Sequence, residues 1–432
     1  MLSVRDLRRA PLRIPMGSHG PEPAAAATRH VRPLGVCERF FRIYALAFPV
    51  HFCLVGEIGG AIDPAKLRAA LEQVRGRHPA LRVGIADNAE AGPSFYATDN
   101  PIEVHTAPVG ADWRRVVESE LNRPFDTIPG PLMRATALWE SGGVSLVLTF
   151  HHAIADALSG ARILGDLMRA LAGEPLGALP LIPPLEAMIP NFASPPASAS
   201  DSDADVAVNG PERGAQAPDR LTASIASLEW DRAETANLVR SCRANRTTVH
   251  GAICAAASRH IPATDADTVR IQCPMDLSGI VGIEAGHCGV FIGASAVEIP
   301  ATRERPLWLD AREVVDSLRA ARSPAAVAGM LQWITATFPP TAGADKLRQF
   351  FASQPPDSAV ISNLGVLPLA ADYGPLALKA IWGPAMLTNL PADRQTIGVS
   401  TFDGRLRMVH QSYKPIHGLL EAIRGTLLVH CA

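Results

Sequence analysis

Between residues 193 and 220 the chain reads ASPPASASDSDADVAVNGPERGAQAPDR, where proline, serine, alanine and aspartate replace any periodic apolar pattern. This break constrains the fold most. A chain of 432 residues is too long for one ordinary hydrophobic core. The break divides it into two segments, each of domain size. The expected organisation is a disordered N-terminal arm at 1–31, a first lobe at 32–190, an interdomain linker at 191–220 and a second lobe at 221–432.

Within the first lobe, DPAKLRAALEQVRGRHPALRVGI predicts a helix with Asp63 as N-cap and Pro64 at its first position. Leu67, Ala70, Leu71 and Val74 recur at helical spacing, and a strand begins at ALRVGI. Further on, MRATALW and VSLVLTF are β-rich runs joined by ESGG, a hairpin pattern. DALSGARILGDLMRALAG then places Leu158, Ile163, Leu164, Leu167, Met168 and Leu171 on one helical face and stops at Gly173.

The second lobe repeats the mixture. Helices are expected around TVHGAICAAASRH and LWLDAREVVDSLRAAR, and strands at TVRIQCPMDL, HCGVFIGASAV and SAVISNL. A hairpin in QTIGVSTFDGRLRMVHQSY turns at Asp403-Gly404. The fold class is therefore α+β: two lobes of helix-flanked sheet, mostly antiparallel and hairpin-linked.

Composition narrows the function classes. A net charge of −2 gives no electrostatic case for nucleic acid. The seven cysteines are odd in number, scattered and without a C-x-x-C pair. That argues against a disulfide framework or zinc site and for a reducing, cytoplasmic compartment. The longest apolar candidate, FFRIYALAFPVHFCLVG, is interrupted by Arg42, Pro49 and His51, so no integral membrane association is expected. The arginine-rich opening lacks the apolar core of a secretory signal.

Chemistry concentrates in HHAIADALSG, residues 151–160. Strand side chains alternate between faces, so a strand continuing through this point would send only one histidine into a given cleft. The same alternation argues against both binding one metal. An imidazole at a strand end can take a proton from an alcohol or amine attacking a carbonyl. Asp156 sits at or near the helix N-cap, where it either orients the imidazole or braces the loop; the spacing does not choose. There is no G-x-S-x-G, Walker A, G-x-G-x-x-G or H-E-x-x-H motif, which removes the corresponding hydrolase, NTPase, dehydrogenase and zincin readings.

HHAIAD resembles the H-H-x-x-x-D signature of the superfamily of chloramphenicol acetyltransferase, nonribosomal peptide condensation domains, plant BAHD acyltransferases and mycobacterial polyketide-associated acyltransferases. Its neighbours agree in order: RPLGVCERFF, GAIDPAKLRAALEQVRGRHPALR, RPFDTIPGPLMRATAL, TVHGAICAAA, PMDL and ISNLG. The last two look most like the phthiocerol dimycocerosyl transferase branch. The resemblance implies two similar lobes with an active-site channel between them, and transfer of an acyl group from a thioester to an alcohol. It implies His152 as general base, His151 as a supporting residue and Asp156 as the carboxylate holding the loop. Ser362 and Asn363, in the S-N-x-G segment, would approach the channel as oxyanion donors, or Asn363 simply ends a strand in a turn.

No metal or cofactor is implied beyond acyl-CoA or the phosphopantetheinyl thioester of an acyl carrier protein as co-substrate. The acceptor is a small-molecule alcohol or amine, and a monomer is expected. Two positions depart from the pattern: Ala157 stands where glycine usually follows the aspartate, and Ser278 where arginine often follows P-x-D-L. The plant D-F-G-W motif is absent. A free-standing amide-forming condensation enzyme and a non-catalytic condensation-like scaffold remain as alternatives.

Overall fold

Two six-stranded sheets carry the molecule, and two strands from the second half of the chain are built into the sheet of the first. The computed structural model describes residues 29–189, 192, 223–263, 267–283, 286–302, 304–387 and 393–431. The arm expected at 1–31 and the linker expected at 191–220 therefore fall almost wholly outside the described residues.

The first sheet has the order Asp372–Tyr373, Leu376–Met386, Phe52–Gly59, Gly143–Phe150, Met133–Glu140, Glu103–Thr106. The Met133–Glu140 and Gly143–Phe150 strands form the expected hairpin, with Glu140 opposite Gly143 and Gly142 at φ +96° in the turn. Helix Pro64–Arg77 starts as its sequence requires, with the Asp63 carboxylate accepting from Lys66 N. It and helix Ala157–Leu171 bury their apolar faces on this sheet, in a core that includes Leu67, Leu71, Leu164, Leu167 and Leu171. The segment FFRIYALAFPVHFCLVG divides where its interruptions fall, into helix Val36–Ala47 and strand Phe52–Gly59. No helix among the described residues is long and apolar enough to cross a membrane.

The second sheet has the order Ile292–Pro300, Thr268–Asp276, Ala359–Val366, Gln395–Phe402, Arg405–Ser412, Ser224–Glu229. The Gln395–Phe402/Arg405–Ser412 hairpin turns at Asp403 (φ +51°) and Gly404 (φ +72°), the paired positive φ values of a type I′ turn. Most pairings are antiparallel, but Ala359–Val366 runs parallel to both of its neighbours.

Residues 372–386 depart from a simple division at 221. Strand Leu376–Met386 pairs antiparallel with Phe52–Gly59 in the first sheet. It also crosses the second sheet so closely that a Cβ on Gly398 would fall 1.8 Å from the Pro384 carbonyl oxygen, and the Ser400 hydroxyl donates to the Ile381 carbonyl at 3.1 Å. A shared apolar cluster joins the halves here, with Val55 and Val147 of the first sheet packed together with Ile225, Val409 and Trp382. All seven cysteines are buried and unpaired by disulfides.

Candidate active site

The strand delivering the histidines ends one residue before them. Gly143–Phe150 is the last stretch of ladder, and Phe150 stacks on Phe52 at 5.2 Å. His151 N then donates to Leu132 O at 2.9 Å, and Ile154 N donates back to His151 O at 3.1 Å, which curls the chain into a tight turn. The alternation expected of a continuing strand does not apply, because the backbone has left the ladder. Both histidines are buried, His151 to 2% and His152 to 4% exposure, but in different surroundings.

His151 faces polar company. Its Nδ1 accepts from Ala153 N at 3.1 Å, which ties the imidazole to the turn it sits on. It meets the edge of Phe125 at 5.8 Å and lines a small cavity with Arg42, His51, Phe125 and Thr127. That cavity offers about 10 Å³ to the centre of a water-sized sphere, room for roughly one water. Next to it, the Arg134 guanidinium is ion-paired with the buried Glu120, and His51 Nε2 lies 2.7 Å from Glu120 O. Burial first, then the neighbouring His51, His152, Arg42 and Arg134, push the His151 pKa down to about 3.

His152 faces rings. Phe41, on helix Val36–Ala47, lies flat over its imidazole at 3.9 Å and 3° between planes, and Phe52 approaches at 5.0 Å. Its Nδ1 is buried without a hydrogen-bond partner. Burial lowers its pKa to about 4, with the backbone of His152 and Ala155 pulling weakly the other way. At neutral pH the ring is an uncharged imidazole, the form that can accept a proton.

Asp156 bonds to backbone groups on both sides of its loop. Its Oδ1 accepts from Ser159 N at 2.7 Å, capping helix Ala157–Leu171. Its Oδ2 accepts from Phe291 N at 2.9 Å, in the second half of the chain, while Asp156 N donates to Gly289 O at 3.0 Å. The Ser159 hydroxyl donates to Gly289 O at 3.0 Å, and Gly289 N lies 3.1 Å from the same hydroxyl. The loop is thus fastened across the two halves by backbone groups of 289–291. This explains why HCGVFIGASAV enters its ladder only at Ile292: Phe291 N is committed to the carboxylate.

Two family models match the chain, one on each side of the linker: "Condensation domain" over residues 50–183, and "Phthiocerol/phthiodiolone dimycocerosyl transferase C-terminus" over residues 219–410. The chain belongs to the condensation-domain superfamily. Among solved structures it is similar to polyketide synthase associated protein 5 of Mycobacterium tuberculosis, at TM-score 0.62, 18% identity, 94% of this chain and 99% of that one. It is also similar to TRI3 trichothecene 15-O-acetyltransferase of Fusarium sporotrichioides, at TM-score 0.64, 10% identity, 95% and 99%. At these identities the likeness is one of fold.

Curated relatives match over shorter stretches. One is the probable non-canonical nonribosomal peptide synthetase CymA of Salinispora arenicola, 29% identical over 126 residues, 29% of this chain and 2% of that protein. Another is the uncharacterized protein Rv2305 of Mycobacterium tuberculosis, 30% identical over 126 residues, 27% and 28%. The chain thus spans well under a third of the length of either relative.

Against the superfamily pattern, the two departures have structural readings. Ala157 is the first residue of its helix and is not among the positive-φ residues, so its methyl group fits without strain. Ser278, where the branch often has arginine, turns away to Asp276: its N and hydroxyl donate to the two carboxylate oxygens, each at 2.9 Å. Ser362 and Asn363 lie in strand Ala359–Val366, partly exposed, and hydrogen-bond to neither histidine. The Asn363 Oδ1 accepts from Gly365 N at 2.8 Å, with Gly365 at φ +69°, so this oxygen makes a turn.

Phe41, Phe125 and His51 were not singled out by the sequence. Phe41 falls in the RPLGVCERFF segment, but nothing local signals that its ring covers a histidine so far along the chain.

Proposed function

We propose that the protein is an acyltransferase in which His152 is the general base. The acceptor hydroxyl gives its proton to the neutral imidazole as its oxygen bonds to the thioester carbonyl carbon. The tetrahedral adduct collapses, the C–S bond breaks, and the imidazolium returns the proton to the departing thiolate. No covalent enzyme intermediate or metal takes part in this scheme. The thioester is that of acyl-CoA or a carrier-bound phosphopantetheine, and the protein acts as a cytoplasmic monomer; buried, unpaired cysteines support a reducing compartment.

The observation that carries the reading is His152 itself: an unprotonated imidazole on a turn that Asp156 fastens across both halves. A positioned base of this kind contributes about 10²–10⁴-fold in rate. One observation favours the scaffold alternative: the Phe41 ring lies flat over His152 and covers one face of the imidazole. Thiol release from a panel of acyl-CoAs and acyl carrier proteins, offered with mixed alcohols and amines, tests both. Acceptor-dependent release that His152→Ala abolishes supports the proposal, and product mass separates ester from amide. Release unchanged in folded His152→Ala overturns it, and no release from wild type or Phe41→Ala favours the scaffold.

A further inference from the structure

We propose that His250, Cys254 and Cys273 form a structural site for a thiophilic divalent cation, with zinc the natural occupant. The three ligand atoms lie within 4.8 Å of one another. His250 and Cys254 are four residues apart on helix Val249–Ala257, hence on one face, and Cys273 sits on the buried face of strand Thr268–Asp276. The absence of C-x-x-C hid the set from the sequence, because its third member comes from a strand packed under the helix.

The geometry matches a tetrahedral ion. With Zn–S of about 2.3 Å and Zn–N of about 2.0–2.1 Å, neighbouring ligands stand about 3.8 Å apart for sulfur pairs and about 3.6 Å for sulfur and nitrogen. Here Cys254 Sγ lies 3.9 Å from Cys273 Sγ and 3.6 Å from His250 Nε2. Only a small approach of His250 toward Cys273 closes the triangle. The helix is firmly seated: a Cβ on Gly251 would fall 2.5 Å from Ala311 O, so the ligands stand on a fixed backbone. Both thiols are fully buried and His250 is partly exposed, which makes the histidine side the way in and the place for a water as fourth ligand.

Charge also balances. Binding takes one M²⁺, releases the two thiol protons and leaves two thiolates and a neutral imidazole, a complex without net charge in an apolar core. The ion would pin the helix to the strand beneath it. The inference is independent of acyl transfer, and His152→Ala is expected to bind metal as wild type does.

The test is titration of the reduced, metal-stripped full-length protein with Co²⁺, followed by Zn²⁺. One equivalent of Co²⁺ should give a thiolate-to-cobalt charge-transfer band and the intense visible bands of a tetrahedral site, both lost when Zn²⁺ displaces it. Cys254→Ser and Cys273→Ser should each abolish the thiolate band. His250→Ala changes only a partly exposed residue and so tests the site without threatening the fold; it should weaken binding by at least roughly tenfold, the scale carried even by outer-shell partners. Folded wild type that gives no thiolate band overturns the proposal, as does a band that survives in both cysteine variants.

Discussion

The two sides of the His151–Asp156 turn bury adjacent imidazoles to nearly the same extent and treat them differently. His151 is bonded through Nδ1 to its own turn and borders a nest of charge around Arg134 and Glu120, whereas His152 is covered by the Phe41 and Phe52 rings; each imidazole keeps one buried nitrogen without a partner, Nε2 of His151 and Nδ1 of His152. Burial and an open nitrogen are common to both imidazoles, so what separates them is their surroundings, charged on one side and aromatic on the other. The comparison predicts unequal variants. His152→Ala should lower turnover by about 10²–10⁴-fold with the fold intact. His151→Ala should lower stability by about 1–3 kcal/mol, through the lost bond to Ala153 N, with a smaller effect on turnover. Urea unfolding beside steady-state kinetics separates the two, and a reversal of the pattern would move the base to the polar side.

Asp156 sets the next largest effect because it serves both sides. Asp156→Asn keeps the cap oxygen for Ser159 N but turns an amide N–H toward Phe291 N, where Oδ2 now accepts. Leaving that buried donor unpaired should cost about 1–3 kcal/mol, and turnover should fall because the turn is no longer fastened to the other half. A variant as stable and active as wild type would show that the amide contacts merely accompany the fold.

Acid sharpens the comparison. The pKa values of His51, His151 and His152 lie at about 4, 3 and 4 in the folded chain, against 6.5 for an unperturbed imidazole. Between those values the unfolded chain binds more protons, so stability rises with pH through this window, is complete above 6.5 and is lost on the way down toward 4. At pH 5 each group accounts for on the order of 2 kcal/mol. Urea midpoints at pH 5 and 7 measure the sum. Removing the ring over one imidazole isolates its share: Phe41→Ala lets water reach His152, raises its pKa toward 6.5 and moves the acid limb of the pH–rate profile upward. An unmoved limb would mean that the base lies elsewhere.

The same contrast governs what the sequence disclosed. Asp63, Asp156 and Asp403-Gly404 act through neighbours a few residues away, so caps and turns were legible. The hairpin that presents the histidines was legible for the same reason. Strand Leu376–Met386 was not assigned to the first sheet, because strand pairing is chosen by long-range packing that no local pattern encodes. Strand alternation could not orient His151 and His152, because the chain turns at this point, with Ile154 N donating to His151 O. Phe41 over His152 and Cys273 under His250 and Cys254 are both products of packing between distant segments.

The smallest predicted effect lies on strand Ala359–Val366. The Asn363 Oδ1 is already occupied by Gly365 N, so its only group left for an oxyanion is the Nδ2 donor. Asn363→Asp removes that donor while keeping an acceptor for Gly365 N, which isolates the two roles. If the residue only shapes the turn, turnover is unchanged and stability moves by no more than about 0.5 kcal/mol, as for a surface substitution. An oxyanion donor would instead show a loss of about 10²–10³ in turnover. The occupied oxygen, partial exposure and absence of a bond to either histidine favour the small effect. A large one would place part of the reaction's charge stabilisation in the second sheet.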